Sequence, residues 1–319
     1  MDWSLLEKIG VAAQPHALLS DYTTFRLGGP CPALLTCQTP LQLEQTISHL
    51  SRNALPFILI GGGSNLVVSD DGVDCYIIRY YTPTPLIQQD HSRLTVSGST
   101  LLDHLAEFAA ENGLEGLTCV TGIPGTVGGA VAGNAGAFGR QVSDTLESVH
   151  LIDKKGHKKE ACGNDLQFSY RDSILKRTDE MVLWARFSLK PSDIVRLKQE
   201  RQDILKLRRE KHPDLTAHPS AGSIFRNIEP TSRAQKRQAA GWFLEQAGAK
   251  RLRCGGAVIF DKHANIIVKG NGCRAQEVYD LAQKMRESVQ EKFNLDLVRE
   301  VRFVGRFDGM PQDIKEIIW

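Results

Sequence analysis

Seven glycines fall within the 18 residues from Gly122 to Gly139, GIPGTVGGAVAGNAGAFG. A second run, GGGSN at Gly61–Asn65, follows the short apolar stretch PFILI. Chain this poor in Cβ atoms lets backbone N–H groups approach a ligand closely and opens φ > 0. Successive N–H groups in such turns form anion-holding concavities. Glycine runs also serve as tight turns or close-packed strands. Here, however, each cluster follows or contains β-branched residues (Ile58 and Ile60; Ile123, Val127 and Val131) and closes on small polar ones (Ser64–Asn65; Asn134). Two such clusters about sixty residues apart point to one large phosphate-bearing cofactor.

A chain of 319 residues exceeds one typical core and implies two or three domains. With 41% hydrophobic and 24% charged residues, the composition is that of an ordinary globular protein. The formal charge of +2 gives no reason to expect nucleic acid as a partner. The opening MDWSLLEKIG lacks the pattern of a signal peptide, and no run of 18 apolar residues could span a bilayer. The seven cysteines are scattered, odd in number and without a CxxC pair. Reduced thiols in the cytoplasm are therefore expected, with no metal site. Nothing in the chain calls for an obligate protein partner.

The pattern predicts strands at Ala33–Cys37, Phe57–Ile60, Cys75–Ile78, Leu94–Val96, Val149–Ile152 and Met181–Leu189, with helices at Leu41–Ser51 and Leu101–Glu111. A charged helix is expected over Ser192–Arg209, burying Ile194, Leu197, Ile204 and Leu207. Pro213 and Pro219 punctuate the chain after it. Beyond them come a helix near Gly241–Ala247, strands at Ala257–Phe260 and Ile266–Val268, and a closing strand at Val298–Val304. The helix Ala275–Phe293 has the clearest period, with Val278, Leu281, Ala282, Met285 and Val289 on one face. These readings divide the chain into segments 1–74, 75–211 and 212–319. Gly270-Asn-Gly272-Cys-Arg-Ala275 matches a dinucleotide fingerprint with Asp296 as the distant acid. Too little chain follows it to build the required βαβ units, so it is set aside.

Eight segments then occur in a set order: TTFRLGG (23–29), GGGSN (61–65), TGIPGTVGGAVAGNAGAFG (121–139), FSYRDS (168–173), HPSAGSIFRN (218–227), FLEQAGAKRLRCGGA (243–257), DKHANIIV (261–268) and VREVRFVG (298–305). Together they resemble the UDP-N-acetylenolpyruvoylglucosamine reductases, flavoenzymes that make UDP-N-acetylmuramic acid for bacterial peptidoglycan. The likeness covers nearly the whole chain and implies an α+β fold. A two-part FAD-binding module of the vanillyl-alcohol-oxidase-like type would precede an α+β substrate-binding domain. It further implies noncovalent FAD, NADPH as reductant and UDP-N-acetylglucosamine enolpyruvate as substrate. The cofactor would rest on Gly61, Gly62, Gly63, Ser64, Asn65, Pro124, Gly125, Thr126, Gly128, Gly129, Ala135 and Gly136. Tyr170, Arg226 and Asn227 would contact the substrate.

The same likeness assigns catalysis to Arg171, Ser223 and Glu300, and their chemistry suits the reaction. Hydride addition to C3 of an enolpyruvyl ether leaves negative charge on the carboxylate side and a carbon, C2, that needs a proton. Arg171 is a permanent, bidentate cation for a carboxylate. Ser223 follows a glycine and could donate the proton. Glu300, if protonated in a dry site, could hydrogen-bond the carboxylate. Taken singly, these residues also read as a surface ion-pair partner, a turn residue and the exposed face of an edge strand.

The chain departs from the family pattern in places. Arg226-Asn227-Ile228 replaces the usual Lys-Arg/Asn-Pro, and Gly272-Cys273-Arg274-Ala275 lacks the threonine expected to cap the following helix. HANIIVK stands for HAGFIVN. No tyrosine-bearing lid insertion is visible, as in the shorter type of this reductase. Two rival readings share the scaffold: a sugar or phenol oxidase using FAD and O₂, and a non-catalytic nucleotide-sugar binder.

Overall fold

The computed structural model describes residues 3–178, 180–230 and 237–310. Its first sheet runs Ala12–Pro15, Ala33–Cys37, Tyr76–Tyr80, Phe57–Ile60, antiparallel at the first pairing and parallel at the other two. The helix Pro40–Arg52 covers it with Leu43, Ile47 and Leu50. That helix starts where the sequence offers a proline in the first turn and a reciprocal cap. Gln42 N–H donates to Thr39 Oγ1 at 3.2 Å, and Thr39 N–H returns a bond to Gln42 Oε1 at 3.1 Å.

A second, antiparallel sheet runs Lys158–Cys162, Leu146–Ile152, Met181–Ser188, Arg93–Ser97, Ile87–Asp90. A β-bulge between the pairings His150–Trp184 and Leu151–Val182 switches the facing of Met181–Ser188 along its length and divides its side chains between two cores. Met181 and Leu183 pack with the first sheet, while Val182, Ala185 and Phe187 pack under the helices Leu102–Glu111 and Val127–Ala132. The latter helix lies within the second glycine cluster.

The charged helix spans Ile194–Lys211, with one correction to its expected buried face. Leu197 and Ile204 are buried, Leu207 is half-buried, but Ile194 is 43% exposed. The inward seam instead continues through Arg201 and Arg208, at i+4 and i+11 from Leu197. Arg201 pairs with Asp103, and Arg208 Nε donates to Thr121 O at 2.7 Å. Ile194 sits at the helix entrance, beyond the reach of that seam.

The last part packs the helices Ala240–Gln246 and Ala275–Phe293 against a three-stranded antiparallel sheet, Arg253–Cys254, Ala257–Ile259, Ile267–Lys269. All five apolar positions expected on the long helix are buried, and Asn294 ends it with φ +52°. Its missing threonine cap is replaced from far away, since Ala275 N–H donates to Asp70 Oδ2 at 2.8 Å. That carboxylate fills the place where a dinucleotide fingerprint would hold pyrophosphate. Asp296 is spent on an exposed pair with Arg286. The closing strand is shorter than expected, Arg302–Val304, and pairs in parallel with Leu66–Val68 of the first segment. This core therefore includes Phe25, Leu27 and Val67 from the N-terminal part.

Candidate active site

The two glycine clusters face one another. Gly62 lies against Gly125, where an added Cβ would stand 3.2 Å from the Gly125 Cα, and a Cβ on Gly61 would meet Thr126 Oγ1 at 2.3 Å. Ser64 Oγ donates to Pro124 O at 2.9 Å and links the loops. Gly63 and Gly125 adopt φ of +61° and +127°, conformations that side-chain-bearing residues rarely take. The loops form one wall of a cavity of about 930 Å³ that also includes Gly129, Ala135 and Gly136. A Cβ on Gly129 would have only Thr126 Oγ1 nearby, at 3.7 Å, so the bare backbone there faces the cavity. A cradle of this size and chemistry fits a flavin nucleotide. Of the twelve residues expected to hold it, Gly128 alone lies outside the cavity wall. Its N–H donates to Gly98 O at 2.9 Å, and its missing Cβ lets those backbones meet.

Arg171, Ser223 and Glu300, separated by up to 129 positions in sequence, all line this cavity. Arg171 has φ +56° within a tight turn closed by reciprocal bonds between Ser169 and Asp172. Asn134, the polar end of the second glycine cluster, donates from Nδ2 to Ser169 O at 2.8 Å. The guanidinium returns across the cluster, donating to Gly136 O at 2.6 Å and to Asn134 O at 3.4 Å. Its Nε stands 3.0 Å from Glu300 Oε1. Arg171 is thus an ion-pair partner, but inside the cavity and not on the outer surface.

Ser223 and Glu300 sit on adjacent extended segments. Glu300 N–H donates to Ile224 O at 2.7 Å, and Ile224 N–H donates to Asn265 O at 2.9 Å. Asn265, buried, clamps the other side with Phe225 N–H to Oδ1 at 3.0 Å and Nδ2 to Phe225 O at 2.8 Å. The DKHANIIV segment therefore positions Ser223, a role its sequence alone does not disclose. Gly222, φ +79°, turns the chain just before Ser223.

Glu300 precedes the closing strand instead of lying in it. Burial raises its pKa above the ordinary carboxylate value, although Arg171, Lys176 and Arg226 pull it down. Its side chain retains 22% exposure, and that exposed part opens into the cavity. Lys176, which the sequence reading missed, also lines the cavity and donates from Nζ to Arg171 O. Burial, then Arg226 and Arg302, lower its pKa to about 8.

The three expected substrate contacts fare differently. Tyr170 lines the cavity, and the Arg237 guanidinium stacks on its ring at 3.6 Å. Asn227 reaches the wall, but its Oδ1 accepts from Ala240 N–H at 3.1 Å and caps the helix Ala240–Gln246. Arg226 lies outside the wall, its Nε buried without a hydrogen-bond partner among the described residues. It acts on the site through its charge, which reaches both Lys176 and Glu300. Arg208 and His212, also missed, line the same cavity. Burial, then Arg208, His263 and Lys211, push His212 down to about 4, so its imidazole is neutral near pH 7.

Comparison with known proteins matches this architecture. Residues 31–161 match the profile described as an FAD binding domain, and residues 213–304 match the UDP-N-acetylenolpyruvoylglucosamine reductase C-terminal domain. The UDP-N-acetylenolpyruvoylglucosamine reductase of Clostridium novyi is 32% identical over 95% of this chain and 94% of its own. That of Caldicellulosiruptor bescii is 35% identical over 95% and 94%. The crystal structure of the Thermus caldophilus reductase superposes with a TM-score of 0.74 at 32% identity, covering 92% of this chain and 99% of the other. The paired glycine loops, the cavity they share with Arg171, Ser223 and Glu300, and these full-length likenesses agree: the chain belongs to the UDP-N-acetylenolpyruvoylglucosamine reductase family.

Proposed function

We propose that this protein reduces the enolpyruvyl group of UDP-N-acetylglucosamine enolpyruvate to UDP-N-acetylmuramate, with FAD as cofactor and NADPH as reductant. The observation that carries the reading is the Arg171–Glu300 pair at 3.0 Å on the wall of the glycine-loop cavity that Ser223 also lines. When bound, FAD would supply the hydride chemistry that links NADPH to C3 of the enol ether. The glycine loops around Gly61–Asn65 and Pro124–Gly129, which line the cavity, would hold the cofactor. Arg171 binds the substrate carboxylate and offsets the charge that develops there. Glu300, whose pKa burial raises, would hydrogen-bond the same carboxylate when it carries a proton. Ser223 Oγ–H delivers the proton to C2. Tyr170 and Asn227, which line the cavity, would contact the sugar nucleotide.

Residues 1–74 and 75–211 would carry the cofactor, and 212–319 would close on the nucleotide sugar. We infer that the reaction is cytoplasmic and serves peptidoglycan precursor supply, and hence cell shape and division. Among the described residues no helix is long and apolar enough to cross a membrane.

The test is the visible spectrum of the purified protein before and after anaerobic NADPH. Flavin bands should bleach with NADPH and return on adding the enolpyruvyl nucleotide. Return only with oxygen would instead favour the oxidase, and a colourless protein that still binds the nucleotide would favour the non-catalytic binder.

A further inference from the structure

We propose that Lys176 is a further substrate-contacting residue, a second cation for the enolpyruvyl carboxylate beside Arg171. The proposal rests on the reductase reading above. Lys176 ends the short helical turn Ile174–Lys176, whose first neighbour Ser173 is tied down by its Oγ donating to Ala132 O at 2.7 Å. The ammonium lines the same cavity as Arg171, Ser223 and Glu300. Among the described residues it donates one hydrogen bond, to the Arg171 carbonyl. An ammonium has three donors, so two remain to serve an anion.

Arg171 is already committed at three points, to Glu300 and to the carbonyls of Asn134 and Gly136. A carboxylate arriving at Arg171 therefore meets a guanidinium with two unspent N–H groups and, one residue turn away, an ammonium with two more. The local charge balance points the same way. Lys176 is faced by Arg226 and Arg302 and by the carboxylates Asp172 and Glu300. Asp172 is paired with Arg177, which leaves Glu300, among the described residues, as the carboxylate set against Arg171, Lys176 and Arg226. An incoming anion relieves that excess, and the buried, partly desolvated cations make its hydrogen bonds stronger than surface ones. Lys176 thus does two things: it anchors the strained Arg171 turn through the carbonyl, and it presents charge to the substrate.

The experiment compares two nucleotides on the oxidised, FAD-loaded protein by titration calorimetry, so no turnover is needed. UDP-N-acetylglucosamine enolpyruvate carries the carboxylate; UDP-N-acetylglucosamine does not, while both share uracil and diphosphate. Lys176→Met should weaken the first by roughly ten- to hundredfold and the second by less than about twofold. The ammonium is charged below its pKa and neutral above it. The wild-type preference for the carboxylate-bearing nucleotide should therefore fall as pH rises through about 8, whereas Lys176→Arg should keep its preference at pH 9. Equal weakening of both nucleotides, or no change for either, overturns the proposal. Should Lys176→Met fail to hold flavin, the pH behaviour of Lys176→Arg decides: a preference that survives pH 9 supports it, and one that falls as in wild type overturns it. A wild-type protein that binds neither nucleotide defeats the reductase reading itself. A wild type that binds both, with Lys176→Met indistinguishable, defeats only the role of Lys176.

Discussion

Arg171 holds a left-handed backbone conformation that costs a residue with a side chain about 1–3 kcal/mol. The surroundings over-determine it: the Ser169–Asp172 turn, the Asn134 amide, the Lys176 ammonium and two carbonyls all fix its place. Ser223 contrasts with it: the residues that follow it, Ile224 and Phe225, are held by the backbone and side chain of Asn265 and by the Glu300 N–H. Removing its hydroxyl should therefore leave the scaffold intact and delete only the proposed proton donor. Ser223→Ala is expected to keep flavin reduction by NADPH near wild type while slowing reoxidation by the enolpyruvyl nucleotide roughly 10²–10⁴-fold. Anaerobic stopped-flow absorbance separates the two half-reactions. Equal losses in both would show that Ser223 serves folding or flavin placement instead.

At the scale of elements, the helix Ala275–Phe293 depends on a residue from another part of the fold. Asp70 accepts from Ala275 N–H, while Glu277 accepts from Arg274 N–H at 3.0 Å and from Gly256 N–H at 2.9 Å. Two carboxylates thus satisfy the helix start that the sequence left without a threonine. Asp70→Ala should cost about 1 kcal/mol, or roughly 2–4 °C in melting temperature, and Asp70→Asn, which can still accept, should cost less. Thermal unfolding followed by circular dichroism measures both, and an unchanged melting temperature for Asp70→Ala would remove the cap from the account. The bounds of Phe57–Ile60 and of this long helix were legible because their apolar periods are strong. The helix Val127–Ala132 was not, since two of its six residues are glycine and a helical period scarcely registers there. The seam of Ile194–Lys211 was misread where arginines stand in apolar positions. In the site, the meeting of Arg171, Ser223 and Glu300 at one cavity was legible through their motifs. Lys176, Arg208, His212 and Asn265 were not, because their roles arise only when distant segments meet.

On the scale of the whole molecule, the cofactor loops and the C-terminal part share a joint. Thr24 Oγ1 donates to Ser220 O at 2.7 Å and Thr24 N–H donates to Gly63 O at 3.1 Å, so the TTFRLGG segment bridges the first glycine loop to the Ser223 segment. Asn65, at the end of that loop, bonds both sides of the segment that carries Glu300. Its Nδ2 donates to Glu300 O at 3.1 Å and its carbonyl accepts from Arg302 N–H at 3.0 Å, at the start of the parallel pairing of Arg302–Val304 with Leu66–Val68. Through this joint the backbone that holds the cofactor also sets the position of Glu300. Asn65→Ala keeps the carbonyl bond and removes the amide one. At saturating FAD and NADPH, flavin reduction should stay within about threefold of wild type. Reduction of the enolpyruvyl nucleotide should fall by up to ~10²-fold, the penalty expected when a catalytic group is displaced by about 1 Å. If the two half-reactions slow together, Asn65 acts on the flavin alone and the joint does not transmit position to Glu300.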